Sequence, residues 1–251
     1  MIPKTIHYCW LSNDPVPQKL QDCMSTWKTK LPDYEFVLWN FDRFDINSSL
    51  WVKQAFEAKK YAFAADYIRL FAVFNYGGFY LDMDMEVLRS FNNLINNKIA
   101  LAYENDNESI EAGCFGAEKG NPLIKKCLDY YTDRQFVKQD GTYDILTLPN
   151  IMSKFISTND TTINDKYFFT CKSFETGVIK TQDYSYTIHH FAGSWLPEEE
   201  RIIMDFYYKM QQKYPYFIAL IITIVYGFFV RLRKIGIKKS FIHYKHQITG
   251  K

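Results

Sequence analysis

The run Tyr76-Gly-Gly-Phe-Tyr-Leu-Asp-Met-Asp-Met-Glu86 decides the reading of this chain. A short apolar stretch follows a Gly-Gly break and ends in two carboxylates one residue apart. Alternate side chains of an extended segment point to one side, so Asp82 and Asp84 can face a single point beyond the strand. Hard oxygen ligands suit Mg²⁺ or Mn²⁺, which keep open positions for the phosphates of a bound nucleotide. Such a cation would neutralise a leaving diphosphate. Asp-x-Asp pairs also occur in solvated turns, so the surrounding sequence has to decide.

Immediately upstream, Tyr61-Ala-Phe-Ala-Ala-Asp-Tyr-Ile-Arg-Leu-Phe-Ala-Val-Phe-Asn-Tyr76 reads as a helix that is apolar nearly all round and is stopped by Gly77-Gly78. Such a helix is buried, and buried charge is costly unless paired or liganded. Its only charges, Asp66 and Arg69, are three residues apart and share a face. One reading is an ion pair that fixes the helix. In the other, Arg69 meets a phosphate or sugar oxygen with its planar fork while Asp66 accepts sugar hydroxyls.

Around this centre the pattern alternates. Residues 2–10 read as a strand, Leu20, Cys23, Met24, Trp27 and Leu31 recur at helical spacing, Glu35–Trp39 reads as a second strand and residues 49–60 as a second helix. After Asp84 come a strand at Lys98–Tyr103 and a helix at Asn121–Arg134, with Asn121 as cap and Pro122 at its first position. This order predicts an α/β fold with a mainly parallel sheet, whose ligands sit beyond the carboxyl ends of the strands, near Trp10 and Asp82. The expected organisation is a catalytic domain over 1–208 and a C-terminal attachment segment over 209–251.

The chain of 251 residues is 47% hydrophobic and 18% aromatic, enough for a full core. Cys9, Cys23, Cys114, Cys127 and Cys171 are scattered and odd in number, which argues for reduced thiols and against a disulfide framework or zinc site. With no signal-peptide pattern at the start, a cytoplasmic location is expected. The net charge of +2 divides unevenly: from Lys209 onward there are nine Lys or Arg and no Asp or Glu, leaving −7 on the remainder. Inside that basic tail, Tyr216–Val230 is an uncharged run of fifteen residues. It is shorter than the roughly 20 residues of a bilayer span, and its basic flank suits a helix lying on an anionic membrane. A helix buried against the domain or in a dimer is the plainer alternative.

Three ordered blocks resemble glycosyltransferase family 32, which includes bacterial capsule and lipopolysaccharide transferases and whose core is shared by the large clostridial glucosylating toxins. They are Ile2-Pro-Lys-Thr-Ile-His-Tyr-Cys-Trp10, then Ala64-Ala-Asp-Tyr-Ile-Arg-Leu70 with the Asp82-Met-Asp84 run, and His189-His-Phe-Ala-Gly-Ser-Trp195. The resemblance covers residues 1–197 and implies a GT-A type, Rossmann-like nucleotide-sugar fold followed by C-terminal helices. It implies a metal-dependent, retaining transfer of a hexose from a nucleoside diphosphate sugar to a glycan or lipid-linked glycan hydroxyl, as in capsule, exopolysaccharide or lipopolysaccharide synthesis. Trp10, otherwise a core aromatic, would stack on the donor base, and Tyr80 would contact the diphosphate. Asp66, Arg69 and Asp82 would hold the donor, and Ser194 and Trp195 would close over it. Asp84, Asp82 and His189 would hold Mn²⁺ or Mg²⁺; of the adjacent histidines only one can face the site, and the family pattern favours His189 over His190. Glu104, Asp106 and Glu111 would line the acceptor side unless they form a solvated loop. The expected location is the inner face of the plasma membrane, with no nucleic acid as partner. Two rival classes stand beside this: a metal-dependent nucleotidyltransferase or phosphodiesterase, and a non-catalytic, membrane-bound sugar-recognition protein.

Overall fold

The computed structural model describes the backbone of residues 1–106, 108–193, 196 and 198–249, and side chains in that range as far as residue 233. It divides into two compact units, Met1–Lys172 with Ile179–Phe191, and Ser173–Val178 with Ala192–Lys251.

In the first unit the chain runs β1 (Thr5–Cys9), α1 (Gln18–Lys30), β2 (Glu35–Trp39), a 3₁₀ turn, α2 (Leu50–Glu57), α3 (Tyr61–Tyr76), β3 (Gly78–Leu81), β4 (Met85–Val87), β5 (Ile99–Ala100), β6 (Cys114–Ala117), α4 (Pro122–Asp129), α5 (Leu148–Phe155) and β7 (Thr187–His189). Five strands form one sheet in the order β2-β1-β3-β6-β5, and β4 pairs with β7 in a separate two-stranded ladder. β1 is parallel to β2 and β3, whereas β6 is antiparallel to both β3 and β5. Four of the five strands therefore point one way, which agrees with the expected mainly parallel sheet.

The buried helix is found where its composition places it. Along α3, Ala64, Ile68, Leu70, Ala72 and Val73 are sealed from solvent, and so are the two charges Asp66 and Arg69. Gly77 ends the helix at φ +68° and Gly78 opens β3 at φ +108°. A Cβ on Gly78 would lie 2.6 Å from the Thr5 carbonyl oxygen, so the glycine lets β3 enter the sheet beside β1. His7 holds the same corner: one ring nitrogen lies 2.8 Å from the Gly77 carbonyl and the other 3.1 Å from the Trp39 indole nitrogen.

Some expectations need correction. The first strand occupies Thr5–Cys9 rather than 2–10, and the helix expected over 121–134 ends at Asp129, though Asn121 does cap it through Leu123 N–H. Asp82 and Asp84 do not lie on a strand. β3 stops at Leu81, the Met85 amide bonds back to the Asp82 carbonyl at 3.0 Å, and the aspartates flank a tight turn. They converge through that turn, with Met83 buried between them, and not through strand alternation. The strands β4 and β6 and the helix α5 were not foreseen, whereas the strand expected at His189 is found as β7.

In the second unit, α6 (Glu198–Gln211) packs along α7 (Tyr216–Thr249). The uncharged run is thus the first part of a 34-residue helix, longer than the run alone suggests. Its Tyr216–Arg233 stretch is long and apolar enough to cross a membrane by length and composition. Ala219, Thr223, Gly227 and Arg231 recur every fourth residue and are buried, and the Arg231 guanidinium makes a forked pair with Glu200 of α6 at 3.0 and 2.8 Å. The outward face carries Phe217, Ile221, Ile224, Val225 and Phe229, all exposed.

Replacing Gly78 by Ala should destabilise the chain by at least about 2 kcal/mol, since a left-handed φ and a backbone clash add together. Urea unfolding checks this; a change under about 0.5 kcal/mol would show that the corner relaxes freely.

Candidate active site

The site gathers at the carboxyl ends of β1 and β3. Arg69 is its central cation. Buried on α3, it reaches Asp82 Oδ2 at 3.2 Å, Asp66 Oδ1 at 3.4 Å and the Ala112 carbonyl at 2.8 Å, and its guanidinium lies 4.6 Å from the Tyr80 ring centre. Among the described residues, its Nε is buried without a hydrogen-bond partner. A donor left unsatisfied costs about 1–3 kcal/mol, which is more readily understood in a ligand site than in a fold-stabilising pair. Asp82 also accepts from the Tyr80 hydroxyl at 2.8 Å, so both of its oxygens are committed. Asp66 accepts from the Leu148 amide at 3.3 Å, and burial pushes its pKa up to about 6 against the pull of Arg69.

His189 arrives from the far end of the chain. In the β4–β7 ladder it stands opposite Met85, the residue after Asp84, and the His190 amide donates to the Asp84 carbonyl at 3.1 Å. Its Nε2 lies 3.6 Å from Asp84 Oδ1 and its Nδ1 lies 3.0 Å from Glu111 Oε2. Successive residues of a strand face opposite ways, and His190 turns the other way, to Glu86 at 2.8 Å. Burial draws the His189 pKa down, but Glu111 and then Asp84 outweigh it and hold the imidazole at about 10. Asp82 shows the reverse: burial raises its pKa against Arg69, and the neighbouring Asp84 raises it further.

These features fit a divalent cation. Ligand atoms of Asp82, Asp84 and His189 all lie within 4.8 Å of one another. A cation there would relieve the mutual repulsion of the two aspartates and replace the proton on Nε2. Two carboxylates and an imidazole suit Mn²⁺, and Mg²⁺ less well.

Glu111 departs from its expected place on the acceptor side. It is fully buried, and it accepts from Gly113 N–H at 2.6 Å, the Thr170 hydroxyl at 2.7 Å and His189. Its contacts with Thr170 and His189 left no sequence signal, because these partners lie 59 and 78 residues further along. Gly113 has a related role: a Cβ there would come within 2.9–3.0 Å of Glu111, Asp82 and His189. Glu104 remains at the site, receives the Ser109 hydroxyl at 3.2 Å, and is pushed up to about 7 by burial and by Glu111. Asp106 is exposed and pairs with Lys166. Trp10 follows β1 at the same sheet edge, half-buried, its indole N–H donating to the Asp14 carbonyl at 3.0 Å. Ser194 and Trp195 lie outside the described residues.

Residues 17–100 match the family described as "Glycosyltransferase sugar-binding region containing DXD motif", a span that holds Asp66, Arg69, Asp82 and Asp84 and ends before Glu111 and His189. Over 127 residues the chain is 30% identical to inositol phosphoceramide mannosyltransferase 3 of Schizosaccharomyces pombe, covering 49% of this chain and 35% of the relative. Over 88 residues it is 33% identical to mannosyl phosphorylinositol ceramide synthase SUR1 of Saccharomyces cerevisiae, covering 34% and 23%. The chain thus spans about a third or less of the length of these relatives. In fold it is similar to the crystal structure of a glycosyltransferase involved in glycosylation of the major capsid of PBCV-1, at a TM-score of 0.50, 13% identity, and 80% and 98% coverage. The expected GT-A type fold is found.

Without metal, the raised His189 pKa fixes the sign of a stability change. Its contribution is complete below about pH 6.5 and is lost as pH rises through about 10. In EDTA, wild type should melt several degrees above His189→Gln at pH 6.5, and the gap should close towards pH 10. A gap that is constant across that range would show that His189 is not held as a cation.

Proposed function

We infer that this chain, a glycosyltransferase family 32-like protein by its DXD region and GT-A type fold, transfers a hexose from a nucleoside diphosphate sugar to a hydroxyl of a membrane-borne glycan or glycolipid. The observation that carries this is the Asp82, Asp84 and His189 donor set, placed within 4.8 Å at the end of β3 and backed by buried Arg69 and Asp66. A nucleotidyltransferase built on Asp-x-Asp alone has no need of that buried pair.

Each residue has a distinct task. Asp84 and His189 would hold Mn²⁺ or Mg²⁺ directly, which supplies neutralisation of the leaving diphosphate. Asp82, whose oxygens are taken by Arg69 and Tyr80, would reach the cation through water or meet a sugar hydroxyl. Arg69 and Asp66 orient the sugar, Tyr80 stands towards the diphosphate, and Trp10 offers an indole face to the base. The anomeric configuration would be retained by front-face attack, with the leaving phosphate oxygen taking the acceptor proton. The names of the fungal relatives describe mannosyl transfer to inositol phosphoceramide, which supports mannose as the sugar and a lipid-borne acceptor here.

The C-terminal segment would bring the enzyme to such an acceptor. Large apolar residues cover the exposed face of α7, while its buried positions include the small or polar Ala219, Thr223, Gly227 and Arg231, and Tyr226 stacks on Phe206 of α6. That is the arrangement expected of a helix whose outer surroundings are lipid. The nine basic residues of the tail would add attraction to the anionic inner face of a plasma membrane, with the catalytic residues on the cytoplasmic side.

A thermal-shift screen of nucleoside diphosphate sugars with and without Mn²⁺ tests the donor reading. One carrier should raise the melting temperature by several degrees, only with metal, and Asp84→Ala should abolish that shift while keeping its own melting point near wild type. Donor turnover by Asp84→Ala at the wild-type rate would overturn the assignment. Separately, Ile221→Glu with Val225→Glu should reduce co-sedimentation with phosphatidylglycerol vesicles at least about tenfold. Unchanged sedimentation would remove the membrane role from that face.

A further inference from the structure

We propose that Glu111 is the positioning residue that makes His189 a metal ligand, by forcing its imidazole to carry a proton on Nδ1 and leave Nε2 open. This deepens the metal-dependent reading above and rests on it.

The hydrogen-bond inventory around Glu111 has one consistent solution. The carboxylate is fully buried, so each of its contacts must be matched donor to acceptor. Oε1 takes the Gly113 amide at 2.6 Å, and an amide N–H can only donate. Oε2 takes the Thr170 hydroxyl at 2.7 Å and faces His189 Nδ1 at 3.0 Å. An ionised carboxylate only accepts, so Nδ1 must donate whether the ring is charged or neutral. Once the ring is neutral, its lone pair sits on Nε2, which lies 3.6 Å from Asp84 Oδ1 and in the group formed with Asp82. An acceptor behind a metal-bound histidine is the usual way in which ring orientation and tautomer are set.

The carboxylate is itself held rigidly. The Glu111 amide donates to the Ala102 carbonyl at 2.9 Å, and residues 112 and 113 offer their carbonyls to Arg69 at 2.8 Å and to the Asp82 amide at 2.7 Å. One short segment therefore fixes the arginine, the first aspartate and the histidine in one frame. The same crowding leaves no room for a side chain at Gly113.

Replacement by glutamine gives a sharp test, because the Gly113 amide dictates which way the new amide turns. Its oxygen must stay at the Oε1 position, since an NH₂ there would oppose the Gly113 N–H at 2.6 Å. The NH₂ then faces His189 Nδ1 and donates to it. The neutral ring is left with its proton on Nε2, where it blocks coordination.

The experiment is Mn²⁺ titration of the full chain by electron paramagnetic resonance, with spin-echo modulation used to detect a directly bound ¹⁴N. Wild type should bind Mn²⁺ with nitrogen coupling, and His189→Gln should bind more weakly without it. Glu111→Gln should lose the nitrogen coupling and about 10–100-fold in affinity while still melting cooperatively. The double variant should bind no worse than His189→Gln alone, a non-additivity that a merely structural role does not produce. Glu111→Asp, which keeps an acceptor-only group on a shorter arm, should retain the coupling at intermediate affinity, and it serves as the test if the glutamine variant does not fold. Wild-type affinity and coupling in Glu111→Gln, or loss of the nitrogen coupling in a Glu111→Asp variant that still melts cooperatively, overturns this proposal alone. A wild-type chain that binds no Mn²⁺ overturns the metal reading and this proposal with it.

Discussion

An excess of buried negative charge organises the first unit. Asp66, Asp82, Asp84, Glu104 and Glu111 meet in one region, where Arg69 and His189 oppose them. Carboxylates brought out of water are expensive, and an attraction between partners offsets that cost only when geometry and hydrogen bonding are good. The surrounding structure meets both conditions: Arg69 is shared between two aspartates, Tyr80 and Leu148 supply donors, and Glu111 is satisfied from three directions. The imbalance that remains is the kind that a divalent cation removes.

Much of the architecture serves to hold this cluster still. The α3 helix is rigid because it is surrounded by core, so Arg69 leaves it in a defined direction. The glycines at 77 and 78 let β3 start immediately, which puts Tyr80 and Asp82 one strand-length from the helix end. The β4–β7 ladder then ties a residue from the end of this unit to the turn of the aspartates. Rigid elements supply the positions, and the tight turn at Asp82–Met85 aims the side chains. This division of labour suits a site whose ligands must be placed to within a few tenths of an ångström.

The second unit follows a different rule. Its helices meet through a stacked Phe206–Tyr226 pair and a forked Arg231–Glu200 pair, while Phe217, Ile221, Ile224, Val225 and Phe229 are exposed. In water that pattern leaves a contiguous apolar patch exposed, which is uncommon on a monomeric soluble protein without an interaction role.

Local pattern alone singled out the buried α3 helix with its ends, the alternation of strands and helices, the mainly parallel direction of the sheet, and the residues Asp66, Arg69, Asp82 and Asp84, whereas His189 came from the family resemblance. These were legible because periodicity, glycine stops and the cost of burying charge all act within a few residues of one another. The tertiary structure alone decided that the aspartates converge through a turn, that β6 runs against its neighbours, and that the histidine facing the site is backed by Glu111. The reason is separation along the chain. A carboxylate 78 residues from its histidine leaves no periodic mark, and whether it is a solvated loop acid or a buried acceptor depends on what folds over it.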